Sequence, residues 1–281
     1  MNYHLHENGW TVILDDVDFR TITQSEINQI ARLLATNTCV VATDQQLSVA
    51  DEVRVAKMFK NPEPLFKPED EDFIHCAADL SQDPEGILCR VSGELNEHGK
   101  EGIAGYVDEM VWHCNQPGVK TRAPLVWLYG VRGTAGSRTS WNNNILSYKD
   151  LSQKERDYLR TLEAYMITGF DDTDDSKHQL LNEYTPKIVH TNNAGKTGLF
   201  FPFLQISYFK GLSVEESKVI LDKYAEHTTQ EKYCYHHDWQ DGDIVIAEQW
   251  LGIHKRWRFE GIMNRVLHRS VFDFPDQDYT V

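Results

Sequence analysis

The sequence has few basic residues, with 28 Lys and Arg against 43 Asp and Glu and a formal net charge of −15. Nucleic acids and anionic membranes are bound through clustered Lys and Arg, so this balance argues against an electrostatic interface of either kind. Long apolar runs are also missing, because no stretch approaches 18 uninterrupted apolar residues. We therefore expect no membrane span, and a small cationic or zwitterionic partner stays open.

Cysteine is scarce, and its five positions contain no C-x-x-C pair. An odd number of widely spaced cysteines excludes a disulfide framework and a structural zinc knuckle. The first residues lack the basic start and apolar run that are typical of a secretory signal. These features predict reduced thiols and a cytoplasmic location.

Nucleotide-binding signatures are absent as well, since the sequence contains no G-x-G-x-x-G, P-loop or internal repeat. Its 281 residues, 41% of them hydrophobic, are enough for one substantial core. We therefore expect a single domain over residues 1–281.

Four segments carry a helix-start pattern followed by apolar residues at helical spacing. In each, the side chain of a Ser or Thr can accept a hydrogen bond from the backbone N–H three residues later. The acidic side chain at that later position can accept in return from the backbone N–H of the Ser or Thr. These patterns begin at Thr23, Ser48, Ser152 and Ser213. They predict four helices.

Strand-like runs lie between these helices, rich in Val, Ile, Phe, Tyr and Trp and bounded by turn residues. They cover residues 38–42, 125–131, 199–203, 243–246 and 266–274. Because the helices are inserted between distant strands and do not alternate with them, the pattern favours an antiparallel barrel with helical flanks over a doubly wound parallel sheet.

Two glycine- or charge-rich stretches, residues 79–106 and 171–187, are predicted to be long loops. Long loops in a domain are commonly functional lids or mobile surface. The first ends just before the polar cluster described next, so residues 79–111 are predicted to form a lid within the domain.

Three clusters carry candidate chemistry: V-W-H-C-N-Q at 111–116, W-Q-D-G-D at 239–243 with His254 beyond it, and N-R-V-L-H-R at 264–269. On a strand, residues i and i+2 point to one side, roughly 7 Å apart. His113 and position 115 can therefore converge on one metal ion, with His254 arriving from another strand. Arg265 and Arg269 would likewise share a face.

These clusters resemble the taurine dioxygenase-like (TauD/TfdA) family of Fe(II)/2-oxoglutarate-dependent oxygenases. That family has an early W-H-x-D with two iron ligands, a W-x-x-G-D run leading to a distal histidine, and an arginine about eleven residues after it. His254 and Arg265 stand at that separation. The stretches A-T-D-Q-Q-L-S at 42–48, G-S-R-T-S-W at 136–141 and H-T-N-N-A-G at 190–195 also resemble family motifs. The resemblance runs in order from about residue 38 to residue 274.

The resemblance implies a mainly β fold with flanking helices, the double-stranded β-helix or cupin-like jelly roll. The implied site comprises the metal ligands His113, Asn115 and His254, the 2-oxoglutarate-binding residues Thr139 and Arg265, and the substrate-binding residues Arg269 and Trp250. The implied cofactor is Fe(II), with 2-oxoglutarate as cosubstrate and O2 as oxidant. The expected reaction hydroxylates a small organic or amino-acid-like substrate and releases succinate and CO2. A homo-oligomer stays open.

Position 115 departs from the family pattern, because it is Asn where the family has Asp or Glu. Four interpretations stay open: Asn115 ligates iron through its carbonyl oxygen in a working enzyme, an introduced Asp-to-Asn change inactivates it, chloride or water fills the position as in halogenating relatives, or the protein is a catalytically silent small-molecule-binding jelly roll. Glu109 and Glu248 are poor replacements for the carboxylate that position 115 lacks. Glu109 lies about 13 Å from His113 along a strand, and Glu248 suits a hydrogen bond behind the metal ligands. His236 and His237 are adjacent, so we interpret them as structural.

Overall fold

The structure is a computed structural model that describes residues 1–67, 70, 72–120, 123–167, 180–181, 184–260 and 264–279. Within these residues the helices are α1 (Gln24–Asn37), α2 (Val49–Met58), α3 (Phe73–Cys76), α4 (Asn144–Lys149), α5 (Gln153–Leu159) and α6 (Val214–Thr228). Two short 3-10 helices cover Phe203–Gln205 and Glu231–Tyr233. No helix in this part of the chain combines the length and apolar character needed to cross a membrane.

The four predicted helix starts all form capping boxes. Thr23, Ser48, Ser152 and Ser213 each accept from the backbone N–H three residues later, and the acidic side chain at that position bonds back to the cap. Each box satisfies two backbone donors that would otherwise lack partners. The local sequence therefore fixes where α1, α2, α5 and α6 begin.

The strands are numbered in chain order over the described residues. They are β1 (Asn2–Leu5), β2 (Val12–Asp15), β3 (Cys39–Ala42), β4 (Lys60–Glu63), β5 (Cys89–Val91), β6 (Met110–His113), β7 (Leu125–Arg132), β8 (Arg138–Asn142), β9 (Ala164–Ile167), β10 (Leu180–Leu181), β11 (Val189–Thr191), β12 (Thr197–Leu199), β13 (Ile206–Phe209), β14 (Cys234–Asp238), β15 (Ile244–Glu248), β16 (His254–Arg256) and β17 (Val266–Asp273).

Two sheets form the centre of the fold. The larger has the order β1-β2-β3-β15-β7-β17-β4, with β5 also paired to β17, and the smaller has the order β14-β8-β16-β6. Apart from the parallel pair β2–β3, the pairings in both sheets are antiparallel in the described chain. Distant strands thus pair as neighbours, and the predicted jelly roll with helical flanks is confirmed.

Successive side chains of β15 belong to different core clusters, which shows how the sheets are packed. Ile244 and Ile246 lie in one core cluster with Leu34 of α1, so helices cover that face of the larger sheet. Val245 belongs to another cluster, together with Trp141 of the smaller sheet. Because successive side chains on a strand point to opposite faces, one strand supports both layers. The second layer, between the two sheets, also contains the candidate site.

The predicted strand at 199–203 is wrong. The strand β12 ends at Leu199, and a 3-10 helix follows at Phe203–Gln205. Pro202 lies between them and lacks the N–H that a continuing ladder would need. Of the predicted loop at 171–187, residues 171–179, 182 and 183 lie outside the described residues, while residues 180–181 form β10.

The predicted loop at 79–106 is only partly irregular, because it contains β5. Val91 of β5 pairs with Leu267 of β17, and the chain then folds back so that Ser92 bonds Ile103 through its backbone N–H. A Cβ on Gly105 would lie 2.5 Å from the Cα of Gly93, so this return requires glycine. The predicted lid therefore packs closely against the larger sheet.

Candidate active site

One cavity of about 100 Å³ lies between the two sheets. Its wall includes six of the seven predicted site residues: His113, Asn115, Thr139, His254, Arg265 and Arg269. The remaining wall is mainly apolar, with Val91, Ile103, Met110, Leu128 and Leu267. The polar residues thus converge from distant parts of the chain, and the first three apolar ones come from the predicted lid.

The two candidate histidine ligands are brought together by strand pairing. His113 on β6 and His254 on β16 are direct partners in the antiparallel register, and their ring centroids lie 4.2 Å apart. Burial lowers the pKa of His113 to about 4 and lowers the pKa of His254 well below its usual value. Both imidazoles are therefore neutral at pH 7, which is the form that binds metals.

The tautomer of His113 follows from its backbone contact. Its Nδ1 lies 2.6 Å from the carbonyl oxygen of Val111. Since a carbonyl only accepts, Nδ1 must carry the hydrogen and donate it. The lone pair of the ring is then on Nε2, and the Val111 carbonyl orients the ring as is usual behind metal-bound histidines.

Asn115 reaches the cavity without belonging to a strand. β6 ends at His113, and the chain turns through Gln116, which has a φ of 51°. Two buried glutamines hold this turn. Gln205 accepts from the N–H of Cys114 at 2.8 Å and donates to its carbonyl at 3.1 Å, while the Oε1 of Gln249 accepts from Asn115. Sequence reasoning assigned neither glutamine a role, and Gln205 gave no signal.

Neither Glu109 nor Glu248 replaces the missing carboxylate. Glu109 pairs with Lys255 at 2.9 Å, and Glu248 accepts from the backbone N–H groups of Trp250 and Leu251. Glu248 thus shapes the turn that leads to His254, and a hydrogen bond between Glu248 and a metal ligand stays a prediction. Across the described residues, no group of three or more His, Cys, Asp or Glu side chains could hold a metal ion.

Arg265 is buried in the cavity wall beside Ser137 and Phe259. Its Nε donates to the hydroxyl of Ser137 at 2.9 Å, and its guanidinium lies over the ring of Phe259. Burial, with nearby Arg256 second, lowers the pKa of Arg265 to about 9, so the side chain is still charged at pH 7. Thr139 shares this wall, and its Oγ1 accepts from Trp239 at 2.9 Å.

Three arginines line the cavity, and among the described lining residues there is no Asp or Glu. Arg269 is 6% exposed, its Nε has no hydrogen-bond partner, and burial lowers its pKa. Sequence reasoning missed Arg256, which follows His254 by two residues on β16 and therefore shares its face. That i, i+2 spacing was the available signal.

Arg256 ties the predicted lid to the site. It donates to the backbone carbonyls of Ala104, Tyr106 and Asp108 at 2.5, 2.6 and 2.8 Å. Its guanidinium also lies 4.7 Å from the ring centroid of Tyr106. One side chain of the cavity wall thus holds three carbonyls of the predicted lid.

Trp250 and the His236–His237 pair are not among the residues that line the cavity, and they make other contacts. Trp250 stacks on His190 with ring centroids 4.7 Å apart and also packs on Phe200. His237 pairs with buried Asp243 at 3.0 Å, and His236 contacts Ser140 and Glu231. The two adjacent histidines serve separate structural contacts, whereas the substrate-binding role of Trp250 stays a prediction.

A profile of the family described as "Taurine catabolism dioxygenase TauD, TfdA family" matches residues 4–271. The chain belongs to this family. Its sequence is 22% identical over 271 residues to alpha-ketoglutarate-dependent 2,4-dichlorophenoxyacetate dioxygenase of Cupriavidus pinatubonensis, covering 92% of each protein. The predicted class of this TauD/TfdA protein, an oxygenase dependent on iron and 2-oxoglutarate, is confirmed at this level.

Solved structures agree on the fold of this TauD/TfdA chain. AAD-2 in complex with Mn(II) and N-oxalylglycine has a TM-score of 0.72 at 15% identity and covers 100% of both chains. A taurine dioxygenase from Burkholderia xenovorans has a TM-score of 0.71 at 18% identity, covering 94% of this chain and 86% of that one. At these identities the likeness bears on the fold alone.

The residues of the cavity fit the iron that this TauD/TfdA family uses. Two neutral imidazoles are ordinary ligands for Fe(II), and an oxygen donor beside them completes the usual facial set. Asn115 would supply that oxygen as a neutral amide, which is a weaker donor than a carboxylate. The donor chemistry therefore fits Fe(II), with one negative charge fewer at the metal.

Proposed function

We propose that the protein holds Fe(II) through His113, Asn115 and His254 and hydroxylates a small organic acid or an amino-acid-like substrate. The observation that carries this proposal is the convergence of six predicted site residues on one buried cavity. Bound iron would activate O2 and couple the decarboxylation of 2-oxoglutarate to succinate and CO2 with oxidation of the substrate.

Arg265 and Thr139 would bind 2-oxoglutarate. A guanidinium matches a carboxylate with two parallel hydrogen bonds, and the Ser137 contact fixes the Nε edge of Arg265. The indole N–H of Trp239 can only donate, so the Thr139 oxygen accepts from it and turns its own hydrogen elsewhere. That hydrogen can be donated to the same carboxylate.

Arg269 supports an anionic group on the substrate. Its guanidinium is buried at the cavity wall, where an uncompensated charge is costly, and a bound anion would offset that cost. The relative from Cupriavidus pinatubonensis acts on 2,4-dichlorophenoxyacetate, which is a carboxylate. The apolar wall around Leu128 and Leu267 would contact the rest of such a molecule.

Residues 79–111 would act as the lid. The cavity of about 100 Å³ is smaller than ordinary ligand pockets, which measure roughly 300–1,000 Å³. The lid would therefore have to open before cosubstrate and substrate could enter. The three Arg256 bonds would close the lid again and exclude water from the reacting groups.

The test is succinate release by the purified chain, loaded with Fe(II) under anaerobic conditions and then mixed with 2-oxoglutarate and oxygenated buffer. We expect metal-dependent succinate above background without added substrate, a further increase with small carboxylates, and loss of both in His254→Ala. The variant His236→Ala, which alters a histidine outside the cavity, should retain release. A wild-type protein that binds Mn(II) yet releases no succinate would be a silent binding protein instead.

Halogenation receives no support from the geometry of position 115. Halogenating relatives have a small residue there, whereas Asn115 lines the cavity and is bonded to Gln249. Mass spectrometry of the product with and without chloride distinguishes the two reactions, and we expect a hydroxylated product in both cases.

A further inference from the structure

Gln249 contacts Asn115 at two points. Its Oε1 accepts from the backbone N–H of Asn115 at 3.3 Å and from the side-chain Nδ2 at 3.1 Å. On its other side, the Nε2 of Gln249 donates to the carbonyl of Ala123 at 2.8 Å. Gln249 is 2% exposed, so these contacts are made away from solvent.

The orientation of both amides follows from these contacts. The carbonyl of Ala123 can only accept and the N–H of Asn115 can only donate, so the Gln249 amide has one orientation that satisfies both. Its oxygen must then face Asn115. The atom of Asn115 that meets this oxygen must be the nitrogen, so the Asn115 oxygen lies on the side of the amide that is turned away from Gln249.

We propose that Gln249 is a positioning residue that sets the Asn115 amide with its oxygen towards the iron. This inference rests on the proposed function, in which Asn115 is the third ligand beside His113 and His254. The Oε1 of Gln249 accepts a hydrogen bond from the amide of Asn115, whereas it would repel the oxygens of a carboxylate at the same position. The contacts of Gln249 thus match an amide at position 115.

A double-mutant cycle tests the role of Gln249. Mn(II) is titrated calorimetrically into the full chain with 2-oxoglutarate in the absence of O2, for wild type, Gln249→Leu, Asn115→Ala and the double variant. We expect Gln249→Leu to weaken Mn(II) binding about tenfold, as is usual for partners behind metal ligands. In the Asn115→Ala background the same change should have no further effect, since no amide is left to orient.

Gln205→Leu is the matched control. It removes a buried glutamine that holds the backbone of Cys114 and does not bond the Asn115 side chain, so its effect should be the same in both backgrounds. Thermal unfolding of each variant verifies that it is folded. Equal weakening by Gln249→Leu with and without the Asn115 side chain, or no weakening at all, overturns the inference.

The outcomes separate this inference from the proposed function. A wild-type chain that binds no Mn(II) overturns both. A wild-type chain that binds Mn(II) and releases succinate, but shows additive effects in the cycle, retains the proposed function and loses the positioning role of Gln249.

Discussion

The Nε of Arg265 donates a hydrogen bond of 2.9 Å to the hydroxyl of Ser137, which in turn donates to the carbonyl of Thr134 at 2.7 Å. Both side chains are buried, at 4% and 1% exposure. The hydroxyl therefore acts as the acceptor towards Arg265, and it holds the Nε edge of the guanidinium in place.

Ser137→Ala is expected to raise the KM for 2-oxoglutarate about tenfold. A hydrogen bond to a charged group contributes about 1.5–3 kcal/mol, and about 1.4 kcal/mol corresponds to a factor of ten. The measurement is succinate release over a range of 2-oxoglutarate concentrations. Ser147→Ala, at a buried serine bonded to Asn144, is the control and should leave this KM unchanged. An unchanged KM in Ser137→Ala would show that Arg265 needs no such support.

Mn(II) is expected to raise the Tm of wild type and to leave that of His113→Ala unchanged. A ligand at 100 times its Kd stabilises the folded state by about 2.7 kcal/mol, which corresponds to several degrees for a chain of this size. Differential scanning fluorimetry with and without Mn(II) measures the shift. His236→Ala should retain the shift, and a shift in His113→Ala would place the metal elsewhere.

The parts of the site that could be predicted rest on spacing. His113 and His254 belong to motifs whose order the chain preserves, and they become direct partners on β6 and β16. The helix starts were predictable for a related reason, since a capping box is complete within four residues. The helix starts could therefore be predicted from local chemistry, and six residues of the cavity wall from the order of the motifs.

The supporting contacts could not be predicted, because they join segments that meet only in the folded chain. Gln205 bonds Cys114 across 91 residues, and Gln249 bonds Asn115 across 134. Neither contact has a periodic pattern, and a glutamine carries no charge to suggest a partner. The predicted strand at 199–203 was wrong for a different reason. Its apolar residues are typical of a strand, but Pro202 lacks the N–H that a continuing strand needs.

Arg256→Met is expected to loosen the predicted lid. The variant removes three hydrogen bonds to the carbonyls of Ala104, Tyr106 and Asp108 while keeping an apolar stem. Segments with fewer stable hydrogen bonds open more often, so backbone amides in residues 102–108 should exchange at least about tenfold faster. Hydrogen–deuterium exchange with mass spectrometry measures this.

Arg138→Met is the control for the lid, because Arg138 forms an exposed pair with Asp238 on the same sheet. It should leave exchange in residues 102–108 unchanged. Unchanged exchange in Arg256→Met as well would mean that the packing of Gly93 on Gly105 holds the lid without Arg256.

Asn115→Asp is expected to strengthen Mn(II) binding less in the wild-type background than in Gln249→Leu. A carboxylate is the stronger ligand, but at position 115 it would face the Oε1 of Gln249, and two acceptor oxygens repel each other. Gln249 cannot turn its amide round, because Ala123 and the N–H of Asn115 fix it. Removing that oxygen in Gln249→Leu leaves the carboxylate without this repulsion.

Calorimetric titration of Mn(II) into the four proteins of this cycle measures the difference, and succinate release should follow the same order. The comparison also separates two origins of the amide. If Asn115 were a recent replacement of Asp in a site built for a carboxylate, Asn115→Asp alone would give the full increase and Gln249→Leu would add nothing. A larger increase in the Gln249→Leu background means instead that residues 115 and 249 are matched to each other, so that restoring the carboxylate requires both changes.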